Sequence, residues 1–98
     1  MRPVLHGDVS NAARALLSVP HDQRLNLCQT LMAQAEQADA YVLKNRRLHP
    51  EWGNGSLMAV ARKYPLSVEP TFDDPDYCAC FALVLSCLRA ATLSRTHS

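Results

Sequence analysis

The stretch Asp74–Leu93 constrains the fold of this chain more than any other. It opens with aspartates and a proline, residues typical of a helix start, and its segment Tyr77–Leu88 contains no charged residue. A helix that is apolar on nearly every face must be covered on most sides, by the rest of the chain or by a partner. We therefore predict a helix over about 74–93, covered by the other helices, and a polar tail over 94–98.

Three more helices are predicted from proline, glycine and capping residues. The spacing of apolar residues predicts a helix over about 8–18 with Asp8 as its N-cap, and a long helix over about 20–46 that begins with a proline. A short helix over about 56–64 follows a glycine-rich turn. No segment shows the sustained alternation of a β-strand. The predicted fold class is all-α, a small four-helix bundle-like domain over residues 1–98.

Length, charge and hydropathy argue against several classes of protein. Ninety-eight residues make one small domain, and a formal net charge of +1 gives little attraction to nucleic acid or to an anionic membrane surface. No run of about eighteen apolar residues is present to cross a bilayer, and the first twenty residues lack the apolar core of a secretory signal. We therefore expect a cytoplasmic protein whose main role involves neither membranes nor nucleic acid.

The four cysteines are expected to be free thiols, because the cytoplasm is reducing. A zinc site needs four converging ligands, whereas the spacing of Cys78 and Cys80 points them to different sides of a helix. Their predicted role is that of small buried apolar side chains, with redox sensing and metal binding as alternatives. No histidine, P-loop or nucleophile motif is present. The sequence therefore favours a non-catalytic protein over an enzyme and indicates no metal and no cofactor.

The loop between the second and third predicted helices is the best candidate for a binding site. Two arginines and a histidine precede a Gly-Asn-Gly turn and a helix start, where consecutive N–H groups can bind an anion. A tryptophan in the same loop offers a flat face to a ligand or a partner. The structural alternative is a simple turn with a capping serine and a tryptophan packed over the domain edge. The predicted contact residues are Arg46, Arg47, His49, Trp52, Asn54 and Ser56.

The apolar helix allows two arrangements with different functional consequences. In one, the other helices cover it completely; in the other, one stripe stays exposed and pairs with a second copy or with a different protein. Because a small domain buries an all-round apolar helix with difficulty, we expect a protein partner or self-association. The predicted function is a small non-catalytic helical protein-interaction module, an adaptor or regulator. The alternative is a binder of small anionic ligands at the loop 46–56.

Three segments of the chain resemble a family of short, uncharacterised alphaproteobacterial proteins. They are MRPVLHGD at the start, HPEWGNGSLM in the loop and DDPDYCACFAL at the start of the apolar helix. The similarity covers most of the chain. It implies a bacterial cytoplasmic setting and carries no activity, cofactor or catalytic residue.

Overall fold

The apolar helix begins where the sequence predicts. In the computed structural model, which describes residues 1–97 and the side chains of residues 1–94, helix α4 spans Pro75–His97. The Asp74 carboxylate caps it, with Oδ1 accepting the N–H groups of Asp76 at 2.9 Å and Tyr77 at 3.3 Å. The predicted polar tail is wrong for residues 94–97, because no proline or glycine stops the helix there. Ser98 lies outside the described residues.

Helix α1 spans His6–Leu17 and begins two residues earlier than predicted. The expected N-cap is wrong: Leu5 occupies the capping position, and Asp8 is the third helical residue. Asp8 Oδ2 accepts the Leu5 N–H at 2.9 Å, and Oδ1 accepts the N–H of Met58 at 2.8 Å. One buried carboxylate therefore serves the starts of two helices.

Helix α2 spans Arg24–Asn45 and is shorter at its start than predicted, because residues His21–Gln23 form a separate turn of 3₁₀ helix. It ends as predicted near residue 46, where Arg46 adopts a left-handed conformation with φ of 57°. Helix α3 is also shorter than predicted and spans only Leu57–Ala61. After Ala61 the chain tightens into turns, in which the N–H groups of Lys63 and Tyr64 bond the carbonyls three residues back at 2.9 and 3.0 Å. Pro65 then disfavours helical geometry in Tyr64.

The core is built around α1 rather than around α4. Helix α1 packs against each of the other three helices, and its alanines allow their backbones to approach closely. Four of its apolar residues are fully buried: Ala12, Ala13, Ala15 and Leu16. Helix α4 contributes Tyr77, Cys80 and Val84 to this core from one side only. The expectation that the other helices cover α4 is therefore wrong, and the all-α fold class is confirmed.

A buried arginine fastens three helices at one end of the molecule. Arg24, at the start of α2, donates through Nε to the Leu16 carbonyl at 3.1 Å. Its guanidinium also binds both carboxylate oxygens of Asp76, at 2.7 and 3.0 Å. The hydrogen bonds from Arg24 hold the pKa of the Asp76 carboxyl below its ordinary value. The sequence indicates Asp76 as one of the aspartates typical of a helix start, and in the structure it also links α4 to α2.

Candidate functional site

The predicted loop folds on itself through His49. The backbones of His49 and Gly53 exchange hydrogen bonds of 2.9 and 3.1 Å, which close a tight turn. Inside it, His49 Nδ1 accepts the N–H groups of Glu51 at 3.0 Å and Trp52 at 3.1 Å. The imidazole lies between two aromatic rings, with centroids 5.0 Å from Tyr41 and 6.3 Å from Trp52. The histidine therefore holds the loop together through its ring nitrogen.

The polar residues that follow have structural partners as well. Asn54 Oδ1 accepts the N–H of Ser56 at 2.9 Å, and Ser56 Oγ accepts the N–H of Ala59 at 3.1 Å as the N-cap of α3. The N–H of Met58, in the first turn of the same helix, donates to the Asp8 carboxylate. The anion that the start of α3 binds is thus a carboxylate of this chain.

The remaining predicted contact residues are the more accessible ones. Arg46 and Arg47 are exposed, and Trp52 is half-buried with one side against the core. An anion at this loop would meet two guanidinium groups rather than a cradle of N–H donors. The loop brings His49 and Trp52 together, while Asn54 and Ser56 shape the turn below them.

A second surface, which sequence reasoning did not locate, lies between α2 and α4. An open groove of about 460 Å³ runs between these helices. A further depression of about 320 Å³ adjoins it and shares two leucines with it, Leu25 and Leu83. We call the two together the α2–α4 groove. Its main part is lined by Leu25, Gln29, Met32, Leu83, Ser86, Cys87, Ala90 and Ala91.

The side of α4 that faces away from α1 continues this apolar surface. Over Pro75–Ser94 the mean hydropathy is 1.6, yet only 17% of that window is buried. Leu85 and Leu93 are 49% and 44% exposed, and the one charged residue between residues 85 and 94 is Arg89. By length and composition alone the segment is apolar enough to cross a membrane, although it contains no long uninterrupted apolar run. The apolar composition of the segment indicates that it packs against something, and the structure shows which side of α4 is left exposed.

All four cysteines are free thiols, and three of them, Cys28, Cys80 and Cys87, lie in or under this surface. Cys28 and Cys80 are buried, while Cys78 and Cys87 are half-buried. Burial, together with the neighbouring Cys87 thiol, raises the pKa of Cys28, and burial also raises the pKa of Cys80. These two thiols are therefore protonated at neutral pH and poorly nucleophilic. Among the described residues, no group of three or more histidine, cysteine or acidic side chains converges as metal ligands would.

Comparison with known proteins matches this chain to a protein family. A family model described as "Domain of unknown function (DUF7742)" matches residues 2–88. The matched span contains α1, α2 and α3, the loop 46–56 and the first half of α4. No curated protein and no solved structure matches significantly.

Proposed function

The chain belongs to this family of unknown function (DUF7742), and we propose that it is a small non-catalytic helical protein-interaction module. Its docking surface is the outer face of α4 together with the α2–α4 groove. Such a module acts as an adaptor or regulator by holding a protein partner. The resemblance of its three segments to alphaproteobacterial proteins supports a bacterial cytoplasmic setting for this role.

One observation carries the proposal, the open apolar side of α4. Over Pro75–Ser94, where the mean hydropathy is 1.6, eleven of the twenty residues are exposed and three are fully buried. Each apolar Å² left in water costs about 25 cal/mol, and contiguous apolar patches on small proteins mark interaction sites. Across the groove, Leu25 of α2 is also 51% exposed and widens the same patch. A protein partner would remove this surface from water.

The positions of the titratable groups support a role without catalysis. Groups whose pKa is shifted cluster at active sites when they face a cleft and a substrate. Here the lowered pKa of Asp76 comes from its bond to Arg24, which ties helices together. The raised pKa of Cys28 comes from burial between α2 and α4. Both shifts are accounted for by packing, and the proposed module needs no cofactor.

Cross-linking in living cells tests the proposed docking surface. A photo-reactive amino acid would replace Ser86, which lines the groove, and in a matched control Arg62, which is exposed after α3. We expect ultraviolet light to give a covalent protein adduct from position 86 and none from position 62. Absence of an adduct at 86, and also at the neighbouring groove residue Ala90, would overturn the proposal.

The loop 46–56 is proposed as a second, smaller contact with the partner. Its arginines are exposed, and Trp52 joins the internal hydrogen bonds of the loop through its backbone N–H, so its half-buried indole is the part offered to a partner. Combined replacement of Arg47→Ala and Trp52→Ala should reduce the yield of the adduct at position 86. An unchanged yield would remove the loop from the interface and leave the α4 surface as the docking site.

A further inference from the structure

We infer that the occupant of the α2–α4 groove is helix α4 of a second copy of this chain, packed antiparallel about a twofold axis near Ser86. The inference rests on the proposed function, because it names the partner for the same surface. Three independent features of α4 support it: the spacing of its open residues, their sizes and their lack of charge.

The open residues of α4 recur at the spacing of a helix–helix seam. Ala79, Leu83, Ser86, Ala90 and Leu93 follow one another at intervals of 4, 3, 4 and 3. This alternation keeps one stripe of a helix facing a partner helix over several turns. Four of the five are exposed and the remaining one, Leu83, is half-buried, so the stripe is open to a partner.

The sizes of these residues fit an antiparallel copy. With the twofold axis near Ser86, Ala79 faces the partner's Leu93, and Leu83 faces the partner's Ala90. Each pair combines a large with a small side chain, so the contact fills evenly along its length. A parallel copy would instead place leucine against leucine and alanine against alanine, leaving bulges and gaps. Antiparallel packing also sets opposite ends of the two helix dipoles side by side.

The charge of the surface suits a partner with the same surface. None of the five stripe residues is charged, and the single arginine that borders the groove, Arg24, is bound to Asp76. Two identical charged faces would repel one another, whereas two uncharged faces meet without that cost. A partner recognised through charge would leave its own charges unpaired here.

The area available is enough for a dimer of moderate strength. The seam and the adjoining wall of α2 form a face about 25 Å long and about 20 Å wide, from the rise and spacing of packed helices. Two such faces bury on the order of 1,000 Å², the lower limit for specific protein interfaces. We therefore expect association in the micromolar range rather than an obligate dimer.

Light scattering on the purified protein over a range of concentrations tests the inference. The mass should rise from 10.9 kDa towards twice that value. Ala90→Lys and Leu83→Glu should each raise the dissociation constant at least about tenfold, because they place a charge in the uncharged seam. Ala40→Lys is the matched control, since it makes the first change at an exposed alanine of α2 that does not line the groove. Circular dichroism checks that each variant keeps its helices.

The double variant Leu83→Glu with Ala90→Lys distinguishes the two orientations. In the antiparallel dimer each new glutamate faces the partner's new lysine, so dimerisation should return. In a parallel dimer like charges would meet, and the double variant should stay monomeric. A dimer that resists both single substitutions, or that the double variant does not restore, overturns the inferred arrangement.

Two further outcomes separate this inference from the proposed function. A monomer at every concentration, with a photo-adduct at position 86 to a different protein, overturns the second copy and retains the interaction module. A monomer that co-sediments with phosphatidylcholine–phosphatidylglycerol vesicles through the same residues assigns the surface to a membrane and overturns both. A photo-adduct of the mass of two chains supports both.

Discussion

One aspartate, Asp76, makes the stability of the fold depend on pH. Because Arg24 lowers the pKa of Asp76 from its ordinary value of 3.8, the folded protein binds this proton less readily than the unfolded chain. The pair therefore stabilises the fold above about pH 4, and its contribution disappears as the pH falls through the lower folded pKa. Melting curves should show a lower Tm for Asp76→Asn than for wild type at pH 6 and a smaller difference at pH 3. Asp73→Asn, the same change at an exposed neighbouring position, is the matched control.

Gly55 is the glycine that this structure can least replace. Its φ is +92°, and an added Cβ would lie 2.7 Å from the Asp39 Cα of helix α2, a backbone atom that cannot move aside. Gly55→Ala should lower the free energy of unfolding by about 2–4 kcal/mol, from a strained backbone and a clash. Gly53→Ala, also at positive φ but 3.3 Å from a side chain, should cost about half as much. Equal urea midpoints for the two variants would contradict this difference.

At the scale of elements, Asp8 couples α1 to α3. Asp8→Ala removes an acceptor from the N–H of Leu5 and from that of Met58, and leaves both donors without a partner. We expect a loss of about 2–3 kcal/mol, since each bond is charge-assisted. Ser56→Ala removes a single cap and should cost about 1 kcal/mol. Urea unfolding measures both, and hydrogen exchange of Met58 N–H should accelerate in Asp8→Ala but less in Ser56→Ala.

The ends of the helices show which parts of the fold the sequence could predict. Asp74 and Ser56 cap helices through residues two or three positions away, so local sequence identified both starts correctly. One carboxylate oxygen of Asp8 accepts the N–H of Met58, which lies fifty residues further along the chain. The ion pair between Arg24 and Asp76 joins residues at a similar separation. No local sequence pattern indicates contacts between residues so far apart. The link of α1 to α3 through Asp8 and the link of α2 to α4 through Arg24 were therefore found only in three dimensions.

In the candidate site, too, the sequence indicated some features and missed others. Ser56 was expected as a helix cap in the structural alternative, and the turn through Asn54 follows from its glycines. The sequence did not show that His49 accepts two backbone N–H groups, because that bond depends on the closed shape of the loop. It also did not show the α2–α4 groove, since its walls come from two helices about fifty residues apart.

At the scale of the whole molecule, the helix that lies at the centre determines which apolar surface stays exposed. The most apolar segment of a chain is the natural candidate for the centre, and that reasoning selected α4. The structure instead buries α1, whose alanines let three helices approach its backbone. Helix α4, with larger side chains on several faces, can bury one side only in a chain of this length. Its open side is a consequence of which helix packs most closely.

This open side predicts that the stability of the protein depends on its concentration. If a second copy covers α4, folding and association are linked, and mass action stabilises the folded state as protein is added. For a dissociation constant near 10 μM, a rise from about 1 to about 100 μM protein adds on the order of 1 kcal/mol, or about 5 °C in Tm. Ala90→Lys should remove this dependence, while its Tm at 1 μM should match that of wild type, because the alanine it replaces is exposed in the single chain. Calorimetry at the two concentrations measures the shift. A Tm that is equal at both concentrations in wild type would show that a single chain tolerates the open face of α4 without a second copy.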